Sequence, residues 1–64
     1  MTHAEQHALI LELKGYARKM KRYDQEEFAM FVKRDKDDED LDEGSRRRLL
    51  GFYALYVPEG RRRR

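Results

Sequence analysis

The chain has 64 residues, 39% hydrophobic and 44% charged, where ordinary domains are about a quarter charged. Leu, Ile, Val and Phe together supply only 13 residues, which argues for one small domain and against a deep enclosed cleft or a membrane-spanning helix. Cysteine is absent, so disulfides, thiolate nucleophiles and cysteine zinc sites are excluded.

Three amphipathic segments follow one another. Thr2 stands three residues before Glu5, the spacing of a capping box. Leu9, Leu13, Tyr16 and Met20 then recur at helical spacing, with Ile10 and Ala17 on the shoulder. These predict one helix over residues 3–22, interrupted by Gly15 at a cost of about 1 kcal/mol relative to Ala. Asp24 and Glu27 repeat the capping spacing, and Phe28, Phe31 and Val32 line a narrow face. They predict a short second helix over 25–35 that needs its neighbours to persist in water.

Asp40 and Glu43 give the spacing a third time. Leu41, Leu49, Phe52, Tyr53 and Tyr56 follow on one broad face, with Leu50, Leu55 and Val57 widening it. This third helix is predicted to stop at Val57, because Pro58 disfavours the helical conformation in the residue before it. The expected fold class is all-α, a small three-helix bundle over residues 1–60, with a basic C-terminal tail at 61–64. A helix apolar over so much of its girth is either central to a bundle or half of an interface.

Charge is distributed unevenly. Residues 1–23 hold five basic and two acidic side chains, residues 24–43 three and ten, and residues 44–64 seven and one. Four of the last seven are the terminal arginines, without which the net charge of +2 becomes −2. On a continuous first helix, Lys14, Arg18 and Lys21 share a face with Arg22 and His7 beside them. That face and Arg61, Arg62, Arg63 and Arg64 are the candidate phosphate contacts. Arg46 to Arg48, at the start of the third helix, are expected to pair with the acidic connection before them rather than to hold phosphate.

Several motifs fall short of a chemistry. The run DKDDEDLDE at 35–43 has the acids of a calcium loop, but no register supplies both the turn glycine and the distal glutamate. His3 and His7 share a helix face at the spacing of zinc ligands, yet Ala4 replaces the glutamate of the metalloprotease motif and no third ligand shares that face. They read as surface histidines. Ser45 lacks a nucleophile elbow. Tyr16, Tyr53 and Tyr56 sit on apolar faces and read as core, and only Tyr23 falls in a turn. A helix-turn-helix is disfavoured by the long acidic second connection and by the apolar third helix.

The expectation is therefore a non-catalytic protein–protein interaction module that self-associates as a homodimer, with Leu50, Tyr53 and Val57 as its protein-facing surface. The alternative is an accessory nucleic-acid binder using the basic face and the arginine tail. No cofactor, metal, small-molecule substrate or membrane partner is expected. Glu5 and Glu12 flank the first apolar run, unlike a secretory leader, so the expected compartment is the cytoplasm.

Overall fold

A computed structural model describes residues 2–61. Helices α1 (His3–Lys14), α2 (Arg22–Lys36) and α3 (Glu43–Tyr56) pack pairwise, with single 3-10 turns at Ala17–Lys19 and Glu59–Arg61 and no strand among the described residues. The all-α three-helix bundle read from the sequence is the observed fold.

The start of α1 is as expected. Thr2 Oγ1 accepts the Glu5 backbone N–H at 3.1 Å, and the Glu5 carboxylate accepts the Thr2 backbone N–H at 3.4 Å. The end of α1 is not. The predicted helix over 3–22 stops at Lys14, and the chain turns before a new helix begins. Gly15 keeps right-handed helical angles, but Tyr16 departs at φ −111°, ψ 3°. Met20 is extended, at φ −75° and ψ 146°. The 3-10 turn changes chain direction without removing Tyr16, Ala17 or Met20 from the core. Apolar spacing alone therefore does not reveal it. Gln25 completes the turn by donating its side-chain amide to the Ala17 and Met20 carbonyls, both at 3.0 Å.

The other two helix starts also differ from expectation. Helix α2 begins at Arg22, with Lys21 as an N-cap that gives no side-chain hydrogen bond. Asp24 lies inside the helix, where its carboxylate serves α3 instead of a cap. Helix α3 is capped by Asp42 rather than Asp40: Asp42 Oδ1 accepts the Ser45 backbone N–H at 2.7 Å. Asp40 is engaged by His3. The predicted stop at Val57 holds, with Val57 in extended backbone before Pro58.

Leu13 and Leu49 are wholly buried at the centre, with Ile10, Phe28, Phe31 and Phe52 around them. The Phe31 and Phe52 rings meet at 5.9 Å between centroids, within the range of favourable aromatic pairs. Leu41 from the second connection is also buried, so this loop is pinned to the body. The radius of gyration is 10.8 Å, the value expected of a close-packed chain of this length, about 10.7 Å.

Two distinct ends result. The Lys21 backbone N–H donates to the Tyr56 hydroxyl at 3.3 Å, which brings the α1–α2 turn to the C-terminal end of α3. At the other end, Gln6 of α1 meets Asp35, Glu39 and Leu41 of the acidic connection.

Candidate interaction surfaces

The acidic end is built around a buried side-chain amide. Gln6 is completely buried. Its Nε2 donates to Asp35 Oδ1 at 3.3 Å and to the Glu39 carbonyl at 3.2 Å, and its Oε1 accepts the Leu41 N–H at 2.9 Å. Three of the amide's four hydrogen-bonding positions are thus filled, one by Asp35 in the last turn of α2 and two by the loop that follows, which explains why a polar residue sits on the apolar side of α1. Asp35, itself buried, is also held by His7 Nδ1 through its second oxygen. His3 Nδ1 lies 2.9 Å from Asp40 Oδ1. The two histidines thus fasten the acidic loop to α1, beyond the plain surface role expected of them. Asp38 turns this loop through the left-handed region at φ 59°, which aspartate tolerates better than most residues.

A second polar network joins α2 to α3. Arg48 grips Glu27 with Nε at 3.1 Å from both carboxylate oxygens and a terminal nitrogen at 2.6 Å from Oε1. The bonds from Glu27 raise the Arg48 pKa still further. Asp24 accepts the Tyr56 hydroxyl, and this bond raises the phenol pKa, with desolvation adding to it. Tyr53 donates to Glu12 Oε2 at 3.0 Å, tying α3 to α1. At the α3 cap, the Ser45 backbone N–H holds the Asp42 carboxyl below its ordinary pKa. Of the three arginines expected to face the acidic loop, Arg47 pairs with Glu43 at 3.0 Å and Arg48 crosses to α2. Arg46 has no ion pair among the described residues, and its Nε is buried without a hydrogen-bond partner.

The expected protein-facing trio is divided. Tyr53 is 9% exposed and Val57 1%, both within this chain's own core. Tyr53 is further tied to α1 through Glu12. Leu50 stays 49% exposed and Leu55 66%. Helix periodicity places Gly51 and Ala54 between these two leucines on the outer side of α3, and both are exposed. A Cβ built on Gly51 meets nothing within 4 Å. Elsewhere, Leu11, Met30 and Tyr23 are exposed singly.

The expected continuous basic face on the first helix does not exist, because the helix stops at Lys14. Arg18 falls in the 3-10 turn, Lys21 at the α2 cap and Arg22 in the first turn of α2. The turn nevertheless gathers these cations at one end, joined by Lys19, which sequence spacing had left out. Lys19 Nζ lies 5.9 Å from the Tyr16 ring centroid. Arg61 ends the second 3-10 turn, and Arg62, Arg63 and Arg64 lie outside the described residues.

Among the described residues, no group of three or more histidines and carboxylates is arranged to hold a metal ion, and no helix is long and apolar enough to cross a membrane. Ser45 spends its backbone N–H on the α3 cap, and both histidines are engaged at the acidic loop. No protein-family model matches the chain, and no curated protein or solved structure matches it.

Proposed function

We propose that the protein is a small non-catalytic interaction module that self-associates through the outer face of α3. The observation that carries this reading is Gly51. A glycine in the interior of an exposed helix costs about 1 kcal/mol relative to alanine. Its Cβ position faces open space, so nothing within the fold demands it. A second helix approaching its backbone closely does demand it. The flanking chemistry agrees: residues 49–58 carry no charge, and Leu50 and Leu55 border the glycine on either side, 49% and 66% exposed.

A two-fold arrangement crossing at Gly51 would set each copy's Leu50 and Leu55 against the other. Within α3 the strip covers about 12 Å of helix, from Leu49 to Tyr56. That places the interface at the small end of specific contacts, with affinity of micromolar order or weaker. Of the original surface, Leu50 remains in this reading, while Tyr53 and Val57 support it from beneath. The proposed setting is the cytoplasm, with which a chain without cysteine is compatible.

Sedimentation equilibrium from micromolar to millimolar protein tests the reading with two variants. Gly51→Ala should raise monomer stability by up to about 1 kcal/mol and weaken association. Gly51→Lys should abolish association and keep the helical circular dichroism of the wild type. A wild type that stays monomeric throughout, or a Gly51→Lys variant that associates as the wild type does, would overturn it.

A further inference from the structure

We infer that the turn end of the bundle binds single-stranded nucleic acid, with its cations on successive phosphates and Tyr23 stacked on an unpaired base. Lys14, Arg18, Lys19, Lys21 and Arg22 fall within nine consecutive residues that contain no acid, and all five side chains are exposed. The bordering carboxylates are committed elsewhere. Glu12 accepts from Tyr53, and Asp24 from Tyr56. Glu26 lies beside Arg22 at 3.7 Å, an exposed pair that solvent weakens. Among the described residues, Lys14, Arg18, Lys19 and Lys21 have no carboxylate within ion-pair distance. The acidic loop that would repel phosphate lies at the opposite end, gathered around Gln6 and the histidines. The fold thus holds the acid-free run and the acidic run of the sequence at opposite ends of the bundle, with Glu26 an exposed carboxylate at the border of the basic end.

Tyr23 decides among the anionic partners. It is 85% exposed beside Arg22, and its side chain makes no hydrogen bond or ring contact among the described residues. An acidic peptide presents a flat face to such a ring only where it carries an aromatic side chain of its own, whereas every nucleotide carries one, and a lipid surface requires more apolar side chains than one. An exposed ring next to Arg22, at the border of a basic run, can stack an unpaired base while neighbouring cations neutralise the backbone. A base within a duplex offers no free face, so the single strand is favoured. None of these residues lies on the outer face of α3, so this inference stands independently of self-association.

Fluorescence anisotropy of the full chain with labelled oligothymidylate across a salt titration is the test. The logarithm of affinity should fall against the logarithm of salt with a slope of about −0.7 for each phosphate neutralised, near −3.5 for five. The double variant Lys19→Gln/Lys21→Gln should reduce the slope by about 1.4. Tyr23→Ala should weaken binding about five- to a hundred-fold, with Tyr23→Phe restoring it.

Three results would overturn the inference. One is no binding at low salt. The second is unchanged affinity in Tyr23→Ala, or equal competition by polyglutamate, which assigns the end to acidic protein surfaces. The third is a slope that survives the lysine changes but collapses when Arg62, Arg63 and Arg64 become glutamine.

Discussion

Replacing Gln6 with leucine tests how the acidic loop is held. The wild-type amide fills three hydrogen bonds from a site with no solvent exposure. Leucine keeps most of the volume and removes every polar atom. The Leu41 N–H then has neither partner nor water, since Leu41 is itself buried, and an orphaned buried group costs about 1–3 kcal/mol. The Glu39 carbonyl belongs to an exposed residue and recovers a water, so it adds little. Asp35 loses a donor but keeps His7.

The net destabilisation should be about 2 kcal/mol. A domain of this length has a total stability of about 3–10 kcal/mol, so the loss is a large fraction. Urea unfolding followed by circular dichroism should show the midpoint falling by about 2 M at unchanged slope, for a slope near 1 kcal/mol/M. Hydrogen exchange should show the Leu41 amide losing protection before the amides of α2. A change below about 0.5 kcal/mol, or a Leu41 amide as protected as before, would mean that the Gln6 amide does not hold the loop.

Other outcomes follow from the packing and the titrations. Leu13→Ala and Leu49→Ala should each cost about 2–5 kcal/mol in chemical denaturation, whereas Leu55→Ala in the monomer should stay within about 0.5 kcal/mol. Gly15→Ala should raise stability by about 0.4–1 kcal/mol, because Gly15 already holds angles that alanine adopts and its Cβ would approach only the Glu12 carbonyl, at 3.4 Å. The hydrogen bond to Asp24 raises the Tyr56 phenol pKa above its ordinary 10.0. Its contribution is therefore fully present below the unfolded phenol's pKa and is lost as pH rises through the folded value. The stability gap between wild type and Tyr56→Phe should hold through neutral pH and close only in alkali, as read by unfolding curves across pH.

The three helices and most of the core were legible because apolar spacing reports which residues meet, and that record survives local changes of direction. For the same reason the break after Lys14 was not legible: Tyr16, Ala17 and Met20 reach the core whether the chain coils on or turns. Thr2 and Glu5 formed the capping box their spacing announced, since nothing else competes for them. Asp24 and Asp40 did not cap, because Tyr56 and His3, more than thirty residues away in each case, take those carboxylates. Competition of this kind is set by tertiary geometry and leaves no trace in local spacing. Gln6 was invisible for a related reason. A lone glutamine at a helical position reads as surface until the loop that fills its amide is in place.

The candidate surfaces were legible in composition more than in position. The charge-free run after Leu49 pointed to α3, but Tyr53 and Val57 were assigned outward when the bundle needed them inward. Gly51 gave no signal until its surroundings were known to be empty. The basic residues were read as one stripe of a helix, and the turn that breaks that stripe is what collects them at one end.

Contact between copies through α3 is open to a dilution series followed residue by residue in amide NMR. Concentration-dependent shifts should appear at Leu50, Gly51 and Leu55, and at no other surface of comparable size. Shifts confined to the 14–22 turn and the 35–43 loop would mean that the opposed charges meet end to end, and spectra that do not change with concentration would mean that the outer face of α3 joins no second copy.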